Sequence, residues 1–435
     1  MMIRHVSVIG LGKLGLCIAA VLAHRGFKVK GVDVDEEKVK AVNGGETPIQ
    51  EPGLDRLIWR NRSRLEATVD HREAVQETQA TFIVVPTPSE PDGSFSLKYV
   101  KEAVSEIGKV LSSKRSYHLV VLNSTVMPGS LDNHVKPMLE EHSGKKCGLD
   151  FGLCYNPEFI ALGDVIQGLL RPDLVLIGES DRRAGDLLAK MYRRICTNNP
   201  PIERTSFINA EIAKIAINSF ITMKITFANT LAEICERTCG ANVDDVTRII
   251  GRDSRIGPKY LKGGLGYGGP CFPRDNIAFA RFAESVGAQA ELAMTTHKVN
   301  LRQPERIIRI IEEIGIPRGA KIGVLGLSYK PKTPVVEESQ AIYLIRRLQE
   351  MNYEVHVYDP IAIDAAKAVL YDSVTYENSL DDLMRNCDVL VIATPWSEFK
   401  TIRAYGKIIL DCWRIVDRSG LQGCTYIPLG ASLKS

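Results

Sequence analysis

The sequence predicts an α/β protein in which a long central helix joins two doubly wound parallel sheets. Short apolar segments in the first half of the chain alternate with helical patterns and end in turns rich in Gly, Asp and Thr-Pro. Segments of the same type recur in the same order in the second half. Between the halves, residues 206–239 carry apolar side chains at helical spacing. Because alternating strands and helices are typical of a parallel sheet covered by helices, the repeat predicts two such sheets.

The composition is that of an ordinary globular protein. Of 435 residues, 45% are hydrophobic and 25% charged, and a net charge of +3 indicates neither a nucleic-acid nor a membrane partner. The sequence has no apolar run that could span a bilayer and no signal-peptide pattern in its first 15 residues, so we expect a cytoplasmic protein. The ten cysteines include no CxxC pair or zinc-like cluster, so we expect reduced thiols and no metal.

The first strand, His5–Ile9, leads directly into GLGKLG at 10–15, an Ala-rich helix and a second strand that ends at Asp33. A lone GxGxxG is weak evidence, but this order of elements is typical of a Rossmann-like dinucleotide site. Gly10 makes the turn, Gly12 admits the pyrophosphate and Gly15 lets the helix pack closely. Asp33 would bond a ribose hydroxyl and repel a 2′-phosphate, which favours NAD over NADP. The alternative is a βαβ turn without a nucleotide.

Later strands of the first half, at 82–85, 119–122 and 152–155, also end in polar residues. Because ligands of open α/β sheets bind beyond the carboxyl ends of the strands, these residues are candidate contacts, and Glu158 is a candidate acid or base. The alternatives are ordinary turn chemistry and, for Glu158, an exposed loop carboxylate. The predicted NAD contacts are Gly10, Leu11, Gly12, Lys13, Leu14, Gly15, Asp33, Lys38, Thr87, Pro88, Ser124 and Thr125.

Residues 206–239 predict one long helix, on which Lys214 and Asn218 are four residues apart and share a face. An ammonium and an amide side by side are suitable donors to a developing oxyanion. Glu211 lies one turn earlier, so a solvated Glu211–Lys214 pair is the alternative. A long apolar helix between two α/β regions also predicts a dimer interface.

The stretch at 262–275, KGGLGYGGPCFPRD, holds a candidate nucleophile. Five glycines allow another group to approach the backbone, and two prolines stiffen the chain around Cys271. A flexible cradle beside a rigid thiol suits covalent catalysis. Arg274 would favour the thiolate, and Asp275 would accept a proton. The alternative is a surface loop with a buried, inert cysteine.

In the second half, strands at 321–325, 354–358 and 389–393 lead into Gly326, Asp359 and Thr394, as strands of the first half lead into Gly10, Asp33 and the turn at 86–88. One difference matters. Ser328 stands where the first half has Gly12, so a pyrophosphate cannot approach this backbone in the same way. This half is therefore expected to hold a different anionic ligand, with Lys330 nearby.

A thiol beside an NAD site suggests oxidation through a covalent thioester. With these features together, the chain resembles the UDP-glucose/GDP-mannose dehydrogenase family over nearly its whole length. The matching stretches are GLGKLG at 10–15, EPGL at 51–54, STVMPG at 124–129, NPEF at 156–159, KIAINSF at 214–220, RIGPKYLK at 255–262, GYGGPCFPRD at 266–275 and GLSYKP at 326–331.

The resemblance implies that a nucleotide-sugar primary alcohol is oxidised to the uronic acid with two NAD⁺ and water. Cys271 would be the nucleophile, Lys214 and Asn218 would stabilise oxyanions, and Asp275 would assist proton transfer. Thr125 would position the water, Glu158 would act as base, and Arg255 would reach the partner's sugar site. The substrate contacts implied are Glu158, Phe159, Ile160, Lys214, Asn218, Arg255, Tyr260, Lys262, Gly268, Tyr329 and Lys330.

The chain also departs from the usual family pattern. Leu162 and Leu174 stand where many members have Glu and Arg, and Trp413 replaces an Arg. After GLSYKP, residues 334, 335 and 337 are Pro, Val and Glu instead of Asp, Asp and Arg. We expect Glu337 to turn away from the cofactor. These departures bear on the sugar and nucleotide more than on the chemistry.

We therefore expect an NAD-binding Rossmann-like domain at 1–205, a central helical domain at 206–303 and a nucleotide-sugar-binding Rossmann-like domain at 304–435. The predicted reaction converts UDP-glucose to UDP-glucuronate in a homodimer with shared active sites. UDP-N-acetyl-hexosamine, GDP-mannose and dTDP-glucose are alternative substrates. A single-step NAD alcohol dehydrogenase and a non-catalytic nucleotide-sugar binding protein are alternative classes. The three classes would consume two, one or no NAD⁺ per product.

Overall fold

The structure is a computed structural model that describes residues 2–432. Its backbone contacts divide the chain into two compact units, Met1–Ala216 and Ile217–Ser435. The boundary falls within a single 31-residue helix, Phe207–Arg237. The sequence pattern at 206–239 therefore predicted this helix to within two residues at each end.

The N-terminal unit is built on an eight-stranded sheet with the order β3-β2-β1-β4-β5-β6-β7-β8. All neighbouring strands are parallel except β6 and β7. Val6 on β1 lies opposite Val29 on one side and Ala80 on the other, which fixes the register of the central strands. The strands are β1 His5–Ile9, β2 Lys28–Val32, β3 Leu65–Thr68, β4 Ala80–Ile83, β5 His118–Leu122, β6 Phe151–Tyr155, β7 Val175–Glu179 and β8 Ile202–Thr205.

Helices cover both faces of this sheet, so its central strands are buried and apolar throughout. Asp35, Asp70 and Asp181 cap three of the helices by accepting hydrogen bonds from first-turn N–H groups. A short π-helical turn, Leu131–Val135, runs into a further helix. The helices are α1 Gly15–His24, α2 Glu36–Gly44, α3 Leu54–Asn61, α4 His71–Glu77, α5 Lys98–Ser113, α6 Lys136–Ser143, α7 Val165–Leu170, α8 Arg182–Ile195 and, crossing the unit boundary, α9 Phe207–Arg237.

Glu211, near the start of α9, has a structural role that the sequence did not predict. Its side chain is fully buried and accepts hydrogen bonds from the N–H groups of Gly129 (2.7 Å) and Leu131 (2.9 Å). The carboxylate thus caps the turn that follows β5. The alternative interpretation of a solvated Glu211–Lys214 pair is wrong, because Glu211 is turned into the protein and bonded to backbone.

The C-terminal unit contains a six-stranded parallel sheet with the order β11-β10-β9-β12-β14-β16, and the pair β13 and β15. The strands are β9 Lys321–Leu325, β10 Glu354–Tyr358, β11 Thr375–Tyr376, β12 Val389–Ile392, β13 Ala404–Tyr405, β14 Ile408–Asp411, β15 Leu421–Gln422 and β16 Thr425–Pro428. The helices are α10 Val243–Arg252, α11 Phe272–Ser285, α12 Glu291–Leu301, α13 Gln303–Glu313, α14 Gln340–Glu350, α15 Ile363–Leu370 and α16 Leu380–Asn386, with 3₁₀ turns at Ser397–Thr401 and Arg418–Gly420.

The predicted repeat is confirmed by the topology. In both sheets the first strand lies between the second and the fourth, so the strand order reverses between β1 and β4 and again between β9 and β12. In doubly wound sheets, ligands bind beyond the carboxyl ends of the strands at this reversal. Each unit therefore presents one crevice of the kind that holds a nucleotide.

Candidate active site

The glycine loop after β1 has the geometry of a dinucleotide site. Gly10 has a φ of +92°, and a Cβ there would lie 2.7 Å from the Val84 carbonyl oxygen. At Gly15, a Cβ would lie 1.8 Å from the Gly10 carbonyl oxygen, so close helix packing requires glycine. A Cβ on Gly12 would meet no described atom within 4 Å. Packing within the protein therefore does not require glycine at position 12, and the open space beside it fits a bound pyrophosphate. Helix α1 begins three residues later, so its N-terminus would face the phosphates.

Asp33 is held at the edge of this loop. One carboxylate oxygen accepts a hydrogen bond from Leu11 N (2.8 Å), and the other accepts one from Asp35 N (3.0 Å). The Lys38 ammonium lies 3.6 Å from Asp33 Oδ1. A carboxylate has about four acceptor sites, so Asp33 keeps capacity for ribose hydroxyls. The residues present thus fit NAD, which would bind over Gly12 and Asp33.

The hydroxyls at the ends of β4 and β5 tie two neighbouring loops together. Thr87 Oγ1 donates to the Thr125 carbonyl oxygen (2.7 Å), and Ser124 Oγ donates to the Val85 carbonyl oxygen (2.6 Å). These bonds shape the edge of the sheet where Pro88 and Thr125 lie. The predicted cofactor contacts lie at this edge of the sheet. The hydroxyl groups of Thr87 and Ser124 donate their hydrogen bonds to backbone carbonyl oxygens.

Glu158 follows β6 and its side chain is half-buried, so the interpretation as an exposed loop carboxylate is wrong. Burial raises the pKa of Glu158 to about 7, against the opposing effects of a hydrogen bond from Tyr192 and the charge of Lys214. The Tyr192 hydroxyl lies 2.8 Å from Glu158 Oε1. A carboxyl group with a pKa near neutrality is suited to general acid–base catalysis.

Lys214 is buried beside the same segment. Its ammonium donates to the Glu158 carbonyl oxygen (2.7 Å) and lies 4.9 Å from the centre of the Phe159 ring. Lys214 and Glu158 were predicted as site residues from separate patterns, and the N-terminal unit brings them together. An ammonium held in this way is a preorganised donor for a developing negative charge.

The segment from Glu158 to Val165 is fixed from outside by Glu51 of the EPGL stretch. Glu51 accepts hydrogen bonds from Gly163 N and Val165 N, both at 2.8 Å. Ile160 packs against the core and lies so close to Gly168 that a Cβ there would sit 2.8 Å from Ile160 Cγ2. Two departures from the family pattern are also packing residues: Leu162 and Leu174 both contact the hydrophobic cores of this unit.

In the C-terminal unit, Cys271 is exposed and occupies the N-cap position of α11. The interpretation as a buried, inert cysteine is therefore wrong. Asp275, one turn into the helix, donates its N–H to the Cys271 carbonyl oxygen (2.9 Å), and its buried carboxylate accepts from Asn218 Nδ2 (2.6 Å). Arg274 Nε lies 3.6 Å from Asp275 Oδ1. The structure thus places Asn218, which the sequence analysis pairs with Lys214, on the carboxylate of Asp275, one helical turn from the Cys271 backbone.

Buried amides that the sequence reasoning missed hold the backbone of the glycine-rich loop. Asn300 accepts from Tyr267 N (2.8 Å) and donates to the Tyr267 carbonyl oxygen (2.9 Å). Asn229 accepts from Gly264 N (2.8 Å) and donates to the Leu265 carbonyl oxygen (3.2 Å). The sequence gives little signal for them, because buried polar residues such as Thr226 and Thr296 share their helix faces. These side-chain bonds hold backbone groups of the loop that no described strand pairs with. The loop therefore keeps one backbone conformation up to Cys271 although it contains five glycines.

The GLSYKP segment packs against the same loop. A Cβ on Gly268 would lie 2.2 Å from the Glu338 carbonyl oxygen, and Gly269 donates its N–H to the Glu337 carbonyl oxygen (3.0 Å). At Gly269, with a φ of +83°, a Cβ would lie 2.6 Å from the Tyr329 ring. The Lys330 ammonium lies 5.9 Å from the centre of that ring. Tyr329, a predicted substrate residue, therefore packs against the loop at 262–275 that leads to Cys271 (the thiol loop), and Gly268, another, is part of that loop.

Arg255, Tyr260 and Lys262 lie on an exposed stretch of the C-terminal unit. Arg255 is bonded to Asp253, with Nη2 2.6 Å from Oδ2, and Tyr260 has a φ of +64°. Within one chain these three side chains stay at the surface.

Two further residues support the start of the thiol loop. The Trp413 ring packs against Gly264, and Arg414 Nη2 donates to the Gly263 carbonyl oxygen (2.6 Å).

Among residues 2–432, no group of three or more His, Cys, Asp or Glu side chains is placed to hold a metal ion. Over the same residues, every helix is too short or too polar to cross a membrane.

A crevice that fits NAD in the first sheet and a second sheet of the nucleotide-binding type define a class, the NAD-dependent dehydrogenases built on two doubly wound sheets. Comparison with known proteins narrows this class. Three models of the UDP-glucose/GDP-mannose dehydrogenase family match the chain: its NAD-binding domain over 4–196, its central domain over 208–302 and its UDP-binding domain over 323–418. The chain therefore belongs to the UDP-glucose/GDP-mannose dehydrogenase family.

Individual relatives match over almost the full length. The UDP-glucose 6-dehydrogenase AglM of Haloferax volcanii is 38% identical over 433 residues, which cover 98% of this chain and 100% of that protein. The UDP-glucose 6-dehydrogenase TuaD of Bacillus subtilis is 34% identical, with 98% and 92% covered. A solved structure of a UDP-glucose dehydrogenase from Pyrobaculum islandicum superposes with a TM-score of 0.91 at 35% identity and covers 99% of this chain and 98% of that one.

Proposed function

We propose that this chain is an NAD-dependent UDP-glucose 6-dehydrogenase that converts UDP-glucose to UDP-glucuronate. The observation that carries the proposal is the assembly around Cys271, an exposed thiol one turn from a buried Asp275 that accepts from Asn218. A single alcohol oxidation needs no nucleophile, whereas oxidation to the acid needs a way to hold and oxidise the aldehyde. Family membership and the names of the relatives support the same reaction and its substrate.

Each residue has a defined task in the proposed reaction. NAD⁺ held at Gly12 and Asp33 would supply the hydride acceptor for each of the two oxidation steps. Cys271 Sγ forms a bond to the aldehyde carbon, and the resulting thiohemiacetal becomes a thioester after the second oxidation. Lys214 donates to oxygen as negative charge develops, and the second N–H of Asn218 is the other predicted donor. Tyr329 and Lys330 are proposed to contact the nucleotide.

Hydrolysis then releases the acid. Glu158 takes a proton from a water molecule positioned by Thr125, the water oxygen bonds to the thioester carbon, and the C–S bond breaks to return the Cys271 thiolate. Asp275 assists proton transfer to and from this sulfur. The balance is one alcohol, two NAD⁺ and one water to one carboxylate, two NADH and three protons. A carboxyl group with a pKa near 7 matches the task of Glu158.

The stoichiometry of the reaction tests this proposal. Purified protein is incubated with NAD⁺ and, in turn, UDP-glucose, UDP-N-acetyl-hexosamine, GDP-mannose and dTDP-glucose, and both NADH and uronate are measured. We expect UDP-glucose to give two NADH per uronate. One NADH per oxidised product, or binding without turnover, would replace the proposed reaction with one of the other two classes.

The covalent step has its own test. Cys271→Ala should abolish uronate formation, and Cys271→Ser should accumulate an ester because an alkoxide is a poorer leaving group than a thiolate. Intact-protein mass spectrometry after addition of substrate and NAD⁺ would detect the adduct. Cys239→Ala, which removes another exposed cysteine, is the matched control and should leave uronate formation normal. Normal uronate formation by Cys271→Ala would contradict covalent catalysis.

We also propose that the protein is a cytoplasmic homodimer with shared active sites. The C-terminal unit exposes Phe220, Phe227 and Ile234, which recur at seven-residue spacing on α9. Such an apolar stripe is typical of a protein interface. Exposed Arg255 is suited to act across it. Mixed Arg255→Ala and Cys271→Ala chains should regain activity as heterodimers, and a fully active monomer in sedimentation would contradict this. The domain limits 1–205, 206–303 and 304–435 remain part of the proposal.

A further inference from the structure

Tyr192 links the candidate base to a buried amide. It projects from α8 with 5% of its surface exposed, and its hydroxyl contacts two side-chain oxygens at once. These are Asn156 Oδ1 at 2.5 Å and Glu158 Oε1 at 2.8 Å. Nothing in the sequence pattern singles out this tyrosine, because it lies 34 residues from Glu158.

The orientation of the Asn156 amide is fixed by its neighbours. Asn156 Nδ2 donates to the Leu176 carbonyl oxygen (2.9 Å), which can only accept, so Oδ1 must face the Tyr192 hydroxyl. Oδ1 also accepts from Asn123 Nδ2 (3.2 Å). Tyr192 therefore has a single hydroxyl proton between two oxygens, one of which is always an acceptor.

The number of protons at this position depends on the state of Glu158. When Glu158 is protonated, its carboxyl proton can be donated to the Tyr192 oxygen, and the Tyr192 proton to Asn156. Both contacts are then hydrogen bonds. When Glu158 is ionised, the Tyr192 hydroxyl can rotate to donate to the carboxylate, and Asn156 Oδ1 keeps its bond from Asn123. The hydroxyl hydrogen can change partner because only rotation about the C–O bond is needed.

We propose that Tyr192 is a positioning residue whose hydroxyl holds Glu158 in one place in both of its protonation states. The inference rests on the proposed role of Glu158 as base. A general base must bind a proton and later release it, and a fixed donor would favour only the ionised form. A hydroxyl backed by Asn156 can act as donor or acceptor in turn, so the carboxyl group need not move during the proton-transfer cycle.

Other charged and titratable groups act on Glu158 as well. Lys214, on α9, interacts electrostatically with Glu158. The Cys196 thiol follows the last residue of α8, and the charge of Glu158 helps to raise its pKa. Lys214 favours the ionised carboxylate, as a donating Tyr192 does. A test must therefore change the hydroxyl alone and leave these two groups in place, which Tyr192→Phe does.

The first experiment measures the titration of Glu158 directly and does not require turnover. Protein containing glutamate labelled with ¹³C at the side-chain carboxyl is titrated by NMR, and the Glu158 signal is identified by its loss in Glu158→Gln. We expect Tyr192→Phe to move the Glu158 midpoint to higher pH by roughly 0.5 to 1 pH unit, since a bond to a charged acceptor is stronger than one to a neutral group. Tyr117→Phe, which removes another hydroxyl of this unit, is the matched control and should not move it.

The second experiment measures turnover against pH. In Tyr192→Phe, the acidic limb of the profile should shift upward with the NMR midpoint, and turnover at its optimum should fall about tenfold through poorer positioning. In a Glu158→Gln background the same substitution should have no further effect, because no proton is exchanged there.

Several results would overturn the proposal. An unchanged or lowered midpoint in Tyr192→Phe would show that the hydroxyl does not serve the ionised state. A shifted midpoint with an unshifted kinetic limb would show that it does not serve the reaction. Full activity of Glu158→Gln would instead refute the proposed function of Glu158, and the positioning role with it, whatever the NMR midpoint.

Discussion

The two doubly wound sheets begin with the same local structure. Gly10 and Gly326 come directly after the first strand of each sheet, with φ values of +92° and +91°. Both donate their N–H, at 2.8 Å, to the carbonyl oxygen of the last residue of the second strand, Val32 and Tyr358 respectively. The next residue in each loop then donates its N–H to the acid after that strand, at 2.8 Å in the first sheet and 2.7 Å in the second. Up to this point the two halves are equivalent.

Asp33 and Asp359 differ in how many hydrogen bonds their carboxylates accept from the protein. Asp359 is buried and receives six donors, which exceeds the roughly four acceptor sites of a carboxylate: Leu327 N, Ser328 N, Ser328 Oγ, Ile361 N, Ala362 N and Trp396 Nε1. Asp33 receives two backbone donors and the nearby charge of Lys38. The acid of the second sheet is therefore used to hold its own loop, while the acid of the first can still bind a ligand.

The loops also differ in how soon a helix begins after the first glycine. In the first sheet, Gly12 faces open space and α1 begins at Gly15. In the second, Ser328 is buried and α14 does not begin until Gln340. The intervening residues include Glu337 and Glu338, whose carbonyls contact the thiol loop. One topology thus serves two purposes: the first loop is left open for a cofactor, and the second is extended to hold the backbone that leads to Cys271.

After the loss of the thiol itself, the largest effect on turnover is expected from Lys214, which bonds the segment after β6 at the carboxyl edge of the first sheet. Because its ammonium is held on the Glu158 carbonyl oxygen as a preorganised donor, Lys214→Ala should lower turnover roughly a hundred- to a thousand-fold without loss of folding. Steady-state kinetics and thermal unfolding measure the two effects. Lys190→Ala, an exposed lysine on α8, is the control. A loss below tenfold would mean that this edge contributes little to the chemistry.

The second unit is expected to act by positioning. Asn300→Leu removes both bonds that hold the Tyr267 backbone, so the path of the thiol loop should change. Misplacement of a reacting group by about 1 Å can cost on the order of 100-fold in rate. We expect a turnover loss of that order with an unchanged NAD⁺ dissociation constant, measured by titration calorimetry. Normal turnover would show that the amide is not needed for the position of Cys271.

The pH dependence tests the environment of Glu158. Burial raises its pKa to about 7, so the carboxylate is lost as the pH falls through that value. If Glu158 must be ionised to accept a proton, turnover should fall about tenfold for each pH unit below about 6 and level off above about 8. A stopped-flow pH profile of wild type measures this, and the acidic limb should be absent from Glu158→Gln. A limb that persists in the variant belongs to another group.

The smallest effect is expected from Glu337. Its side chain is exposed and its backbone carbonyl is engaged with Gly269, so we predict that the carboxylate does not contact the cofactor. Glu337→Ala should change the NAD⁺ KM by less than about threefold, as expected of a solvated charge without direct contact. If NAD⁺ binding weakens tenfold or more, Glu337 is a cofactor ligand and does not turn away from the site.

The sequence predicted those features that local patterns encode. Strand ends, the GxGxxG loop, the helix at 206–239 and the density of glycine around Cys271 are all signals within a few residues. Contacts between distant residues were missed or misjudged. Tyr192 reaches Glu158 across 34 residues, and Asn300 reaches Tyr267 across 33. A solvated Glu211–Lys214 pair was the alternative that helical spacing suggested, yet the Glu211 carboxylate bonds a turn 80 residues away, which helical spacing cannot reveal.

The most direct test of the comparison is to remove the two equivalent acids one at a time and measure both NAD⁺ affinity and the urea midpoint of unfolding. Asp33→Ala should weaken NAD⁺ binding roughly tenfold or more with a small change in midpoint, because a bond from a ligand to a charged group is worth about 1.5–3 kcal/mol. Asp359→Ala should leave NAD⁺ affinity within about twofold and lower the midpoint strongly, since several buried donors lose their acceptor at about 1–3 kcal/mol each. Equal losses of NAD⁺ affinity in the two variants, or a stable Asp359→Ala protein, would contradict the claim that Asp33 binds the cofactor while Asp359 stabilises its own loop.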